Sequence, residues 1–178
     1  LEAALRIKDT HQAKITVLSL GQNLSKAVLR KSLAAGADEL VLLEDNVFEG
    51  LDSYATAYIL ATAIKKIAAY DLIFTGMQAA DSNAGVIGSG IAEILGIPSV
   101  TTARKVELDD GKLRVEQVLT DGYDMIETPL PTLITVSNDL GELRSVALKE
   151  IMAAQKKPLT TWNAESLGVD PSQMRRAR

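Results

Sequence analysis

The chain contains no cysteine, which excludes disulfides and thiolate chemistry of either the nucleophilic or the metal-ligating kind. A single histidine, His11, is too few for a histidine-based metal cluster, and no nucleophile stands beside a base, so no general acid–base pair is on offer. The expectation is a chain with no catalytic residue and no metal, whose redox chemistry, if it has any, comes from a bound cofactor. No apolar run reaches the roughly 18 residues that a bilayer-spanning helix needs. No signal-peptide pattern opens the chain, which starts inside a helical pattern, and a soluble protein is expected, cytoplasmic or, in a eukaryote, of the mitochondrial matrix. Basic residues are outnumbered, 19 against 23 acidic, and the net charge of −4 argues against a general nucleic-acid binder. The shortage is sharpest in one interval: between Lys66 and Arg104 there is no Lys or Arg, while Asp71, Asp81 and Glu93 all fall there.

What is present is a long alternation of strand and helix patterns. With 178 residues and 47% hydrophobic content, the chain is large enough for one sizeable core, and residues 1–157 read as one α/β domain followed by an arm at 158–178. Leu1 to Lys8 reads as the end of a helix, Lys14 to Leu20 as a buried strand, Leu24 to Ala35 as a helix stopped by Gly36, and Glu39 to Leu43 as a strand. Ser53 is a fair N-cap for an alanine-rich helix running to Ala69; Leu72 to Thr75 reads as strand and Ala84 to Leu95 as helix, stopped by Gly96 with Pro98 beyond. Such alternation predicts a mostly parallel, doubly wound sheet with helices on both faces. After Pro98 the period changes. Val100 to Leu108, Leu113 to Leu119 and Tyr123 to Thr128 form an antiparallel meander with turns at Asp109-Asp-Gly111 and Asp121-Gly122. Thr132 to Val136 then returns as a buried strand, and Glu142 to Gln155 reads as an amphipathic helix. From Lys156 to Arg178 the periodicity of a core element is missing; Trp162, a large aromatic in this stretch, suggests burial against a partner, and His11 reads as surface.

The stretch from Leu72 to Gly90 carries the strongest functional signal. An apolar strand runs into a polar turn, Gly76-Met77-Gln78-Ala79-Ala-Asp81-Ser82-Asn83-Ala84-Gly85, which opens a glycine-punctuated helix containing Gly88 and Gly90. Backbone N–H groups and the positive end of a helix dipole then converge above the turn, at the carboxyl end of a strand, where ligands of open α/β sheets sit. Without a Lys or Arg in the interval a triphosphate is poorly neutralised, and a monophosphate, or a diphosphate held by backbone alone, is the expected guest. Two readings stay open for several residues. Gly85, Gly88 and Gly90 either approach a phosphate or let a helix lie close to the sheet; Asp81 is either a cap or a ligand contact, and a carboxylate repels phosphate.

Several ordered pieces resemble one family. Gly36-Ala-Asp38-Glu, Gly50-Leu-Asp52-Ser with Ala55-Thr56-Ala57, Gly76-Met-Gln78-Ala-Ala-Asp81, Ala92-Glu-Ile-Leu-Gly96-Ile-Pro98 and Ala147-Leu148-Lys-Glu-Ile151-Met152-Ala-Ala-Gln-Lys156-Lys157 together look like the β subunit of electron transfer flavoproteins, over nearly the whole chain. The resemblance implies a nucleotide-binding fold of the adenine nucleotide α-hydrolase type. It implies a non-catalytic subunit that forms a heterodimer with an α subunit carrying the working FAD, and that binds AMP itself, or a second FAD in bifurcating members. An acyl-CoA-type or other flavin dehydrogenase is the implied electron donor. By residue, it implies that the turn from Gly76 to Ala84 is the nucleotide-phosphate loop and that Leu20 contacts adenine through its backbone. It also implies that Leu148 docks into the client dehydrogenase, whereas a leucine on an amphipathic helix is otherwise a core residue. Ala84 and Val86 depart from the family, which often has Thr and Gln there; Ser82, Asn83 and Ser89 are the nearby donors that can substitute. The family begins with an earlier strand and ends with a longer arm, so both are expected outside this chain. The competing class is a stand-alone adenine-nucleotide protein, either an ATP-dependent enzyme or a stress-protein-like sensor. It would call for a Ser-Gly-Gly-x-Asp-Ser loop, a His-x-Gly-His motif or cations at the phosphates, and none is in this sequence.

Overall fold

A computed structural model describes residues 1–67, 69–79, 83–109 and 111–174. In chain order the elements are α1 (Glu2–Thr10), β1 (Thr16–Gly21), α2 (Lys26–Ala35), β2 (Glu39–Glu44), α3 (Ser53–Ile67), β3 (Leu72–Gly76) and α4 (Ile87–Leu95). They continue with β4 (Ser99–Asp109), β5 (Lys112–Leu119), β6 (Gly122–Pro129), β7 (Thr132–Val136), α5 (Leu148–Ala154), β8 (Leu159–Trp162) and α6 (Ala164–Leu167). This is the α/β fold that the alternating periods predict. Its strands are hydrogen-bonded in two sheets, and the chain divides into two compact units, one made of Leu1–Leu51 with the stretch from Leu143 onward, the other of Asp52–Glu142.

The first unit is built on an all-parallel sheet of order β1-β2-β8. Its middle strand carries the unbroken apolar run Leu40-Val41-Leu42-Leu43, buried throughout, as a parallel strand covered on both faces must be. Leu5 of α1, Leu33, Ala34 and Ala35 of α2, and Ala154 of α5 close one core with Leu40 and Leu42. The stretch after Lys156 does contain a core element. Leu159–Trp162 forms β8 alongside β2, with Trp162 half-buried opposite Leu43. Four residues are too few for a period to show, and a fully formed partner strand supplies the pairing that the local sequence does not announce.

In the second unit the sheet order is β3-β7-β4-β5-β6, with β3, β7 and the start of β4 parallel and β4-β5-β6 an antiparallel meander. β4 serves both halves. Its Ser99 and Val100 pair with β7, Lys105 to Asp109 pair with β5, and the register shifts between them around Thr102, which sits at φ 55°. That left-handed conformation is unusual for a β-branched residue, and it is held by Thr102 N–H donating to Thr135 Oγ1 at 2.9 Å and Thr102 Oγ1 donating to Val118 O at 3.3 Å. Helix α3 is capped by Asp52 rather than Ser53: Asp52 Oδ1 accepts the Ala55 N–H at 2.8 Å. A carboxylate is the stronger acceptor at this positive helix end.

Candidate functional site

β3 ends at Gly76, and its ladder is prolonged by Met77 N–H donating to Val136 O at 3.1 Å. Met77, Gln78 and Ala79 follow as exposed residues; Asp81 and Ser82 lie outside the described residues. Asn83 closes a turn by donating its N–H to Ala79 O at 2.9 Å and has φ 49°. Ala84 and Gly85 are exposed, and Gly85 has φ 65°. Two left-handed residues in three positions cannot continue a right-handed helix, so α4 begins at Ile87 and not at Ala84, where the apolar period alone would start it. The described residues of this connection, 77–79 and 83–86, are exposed between the carboxyl end of β3 and the amino end of a nine-residue helix.

The two glycines at the loop's far end have different duties. Among the described residues a Cβ on Gly85 would meet only Gln78 Oε1 at 3.7 Å and Met77 O at 3.9 Å, ordinary contacts, so the backbone conformation is what asks for glycine. A Cβ on Gly88 would come to 2.6 Å from Thr135 Cγ2 and 2.7 Å from Thr75 Oγ1, so this buried glycine is what allows α4 to lie against β7 and β3. Gly90 does the same toward Ala57 of α3, at 3.1 Å. Thr75 Oγ1, at the end of β3, is buried without a hydrogen-bond partner among the described residues. The first N–H groups of α4 have no acceptor within their own helix. These donors and the cation-free loop fit a phosphoryl group held by main chain and hydroxyl groups, and no Lys or Arg lies between Lys66 and Arg104 to anchor more charge.

Leu20 lies on β1 in the first unit, half-buried, opposite Leu43 of β2 in the parallel register. Among the described residues β1 pairs on one side only, which leaves alternate main-chain groups outside this ladder. His11 caps the end of α1 at the surface, its Nδ1 2.9 Å from Thr10 Oγ1.

The first unit also holds Leu148. The expected helix from Glu142 to Gln155 is corrected to Leu148–Ala154, because Val146 packs against the core and Ala147 is extended, with ψ 158°. Glu150 accepts the Ala147 N–H and so caps the helix start. Leu148 is 73% exposed, which removes the core reading, and Ile151 and Met152 are exposed on the same face, three and four residues on. Sequence reasoning missed Arg144. Its guanidinium meets Glu2 at 2.9 Å and Asp9 at 2.7 Å, and its N–H donates to Glu2 Oε2 at 3.1 Å. No local signal announces partners 142 and 135 positions away. Its fork holds both carboxyls below their usual range, chiefly through the hydrogen bonds it donates, and those bonds push its own pKa up.

The profile of the electron transfer flavoprotein domain matches residues 1–167. Among curated relatives, the electron transfer flavoprotein subunit beta of Thermoanaerobacterium thermosaccharolyticum is 43% identical over 175 residues, covering 98% of this chain and 67% of that protein. The subunit of the same name from Clostridium acetobutylicum is 40% identical over 174 residues, again 98% of this chain and 67% of the relative. The caffeyl-CoA reductase-Etf complex subunit CarD of Acetobacterium woodii is 40% identical over 172 residues, 96% of this chain and 66% of that protein. This chain therefore spans about two thirds of the length of these relatives.

Proposed function

We propose a role that starts from one fact: this chain belongs to the electron transfer flavoprotein family. In that role it is a β-type subunit without catalytic residues of its own. It takes up an adenine nucleotide through the loop from Gly76 to Gly88, with Leu20 as the main-chain adenine contact that the family resemblance implies, and pairs with an α subunit that carries FAD. The nucleotide is AMP, or a second FAD if the complex bifurcates electrons, in which case the flavin supplies one- and two-electron redox chemistry. The chain's own residues bind and orient. Gly76 ends the strand, Asn83 and Gly85 turn the backbone so that the amide groups stay exposed, and Gly88 seats the helix whose positive end faces the phosphate. The observation that carries this reading is the cation-free connection between β3 and α4, exposed at its described residues 77–79 and 83–86. Leu148 docks the complex onto an electron-donating flavin dehydrogenase, and its 73% exposure supports that reading. One relative's name ties it to a caffeyl-CoA reductase, which supports a client of the acyl-CoA class. The segment 158–178 contacts the partner subunit in this reading.

Counting flavin and AMP per intact αβ heterodimer, by absorbance and by nucleotide release, tests the assignment; one adenine nucleotide beyond the α-subunit FAD is expected. Gly85→Leu should strip that nucleotide while leaving the helical circular dichroism in place, because a side chain at φ 65° is strained and projects over the loop. Unchanged nucleotide content in this variant moves the site elsewhere. Leu148→Ala should lower electron transfer from the dehydrogenase more than tenfold, the loss of an interface anchor worth about 2 kcal/mol, with melting temperature unchanged.

A further inference from the structure

The segment that bears Leu148 is packed on its unit at both ends and turns an apolar face to solvent between them. Between half-buried Val146 and buried Ala154 its apolar residues Leu148, Ile151 and Met152 face solvent, and an open cleft of about 320 Å³ lies between it and the end of α2, lined by Leu33, Gly36, Arg144, Glu150, Ala153 and Lys157. Apolar contact fixes the segment at its two ends, where Val146 and Ala154 join the core. Cationic side chains hold it at both ends as well. On the far side Lys157 Nζ donates to Leu33 O at 2.9 Å and Ala37 O at 2.6 Å, gripping the carbonyl end of α2, and Arg30 donates to Ala154 O at 3.4 Å. On the near side, beside Val146, Arg144 grips Glu2 and Asp9 of α1 with its guanidinium and Glu2 again with its main-chain N–H.

We propose that Arg144 is a positioning residue for dehydrogenase recognition: its fork on Glu2 and Asp9 sets the direction in which the chain enters α5 and so holds Leu148 out and ordered before the partner arrives. This rests on the docking reading of Leu148. Three residues separate Arg144 from Leu148, and the last of them, Ala147, is extended, so an anchor at Arg144 fixes where the leucine projects. An anchor that has lost its preorganisation must be ordered at the moment of binding, which weakens association without altering the electron-transfer step that follows.

The test uses the full αβ complex and its dehydrogenase, with four variants: Arg144→Gln, the paired Glu2→Ala with Asp9→Ala, Leu148→Ala, and Arg144→Gln combined with Leu148→Ala. The expected result is a rise of fivefold or more in the KM for the dehydrogenase in both Arg144→Gln and the paired carboxylate variant. Flavin content and kcat should stay near wild type while the melting temperature falls modestly with the lost ion pairs, and Arg144→Gln should add nothing to the KM effect once Leu148 is already alanine. The positioning role is overturned, with docking intact, if Leu148→Ala raises KM and Arg144→Gln does not. It is equally overturned if Arg144→Gln raises KM by the same factor with or without Leu148. If Leu148→Ala leaves KM unchanged, docking itself fails and the inference falls with it.

Discussion

In the first unit, charged groups tie together positions far apart in the chain: Arg144 to Glu2 and Asp9, Lys8 to Asp38 and Gly36 O, Lys157 to Leu33 O and Ala37 O, and Asp45 to the Ala164 N–H. In the second unit the ion pairs join neighbours on the meander, such as Arg104 with Glu116 and Arg114 with Glu127. Its distant elements meet chiefly through small residues in close approach, Gly88 on Thr75 and Thr135, and Gly90 on Ala57, with the exposed Lys65 donating to Ile94 O at 3.3 Å beside them. The contrast follows from what each has to bury. A three-stranded sheet flanked by short helices leaves its helix ends half-exposed, and a lysine or arginine with a long apolar stem both covers them and satisfies their carbonyls. The five-stranded sheet with the long ladders of β4, β5 and β6 has its main chain satisfied already, so fit decides the rest. The first unit is expected to be sensitive to charge and the second to volume.

The largest effect that can break this contrast is at Gly88. Gly88→Val should cost about 3 kcal/mol or more, the upper range for overpacking, because its first carbon already overlaps Thr135 Cγ2 and Thr75 Oγ1. Amide exchange should show β3 and β7 losing protection while β1 and β2 keep theirs. Equal loss in all four strands would mean that the two units unfold as one and that the contrast has no energetic content.

A smaller effect, confined to the first unit, is expected from acid. Glu2, Asp9, Asp38, Glu39 and Asp45 all titrate below their usual range. For Asp38, burial opposes ionisation but is outweighed by the Lys8 ammonium and the Ile15 N–H. Groups with depressed folded pKa stabilise fully above their unfolded values, about 4, and that stability is lost as the pH falls through the lower folded values. Below pH about 4, protection of β1 and β2 should therefore fall before that of β5 and β6. Asp38→Ala, which leaves the Ile15 N–H and Lys8 without their acceptor, should move the loss to higher pH and cost about 1 to 2 kcal/mol at neutral pH. Loss of protection in the meander first would reverse the assignment of charge to the first unit.

The smallest effect sharpens the contrast from the other side. Arg114 pairs with Glu127 and Asp109 on an exposed face, at 3.3 Å and 3.4 Å. Such pairs contribute roughly 0 to 1 kcal/mol, so Arg114→Gln should shift the melting temperature by only about a degree or two. A larger shift would show that the meander also depends on its charges.

Much of this was readable from the residues. The unbroken run Leu40 to Leu43 announces a buried parallel strand, Gly96 followed by Pro98 stops α4 where the structure stops it, and Gly111 and Asp121-Gly122 place both turns of the meander. These are local signals, in which a side chain constrains its own backbone. The start of α4 was less legible, because Ala84 to Leu95 is helical in pattern and only the left-handed backbone at Asn83 and Gly85 delays the first turn to Ile87. The same holds for α5, where Val146 is drawn to a core that the sequence around it does not show.

The sequence by itself determined the α/β alternation, the scarcity of cations around the Gly76 loop, the absence of thiol and histidine chemistry and, through motifs in order, the family. Short-range rules suffice for these, since periodicity, turn residues and composition act within a few positions. Only the tertiary structure decided that Gly88 serves the sheet contact, that Leu148 faces solvent, that Leu159–Trp162 completes a sheet and that Arg144 is a hub. Each of these depends on a partner tens to more than a hundred residues distant, and a contact of that kind exists only once the chain has closed on itself.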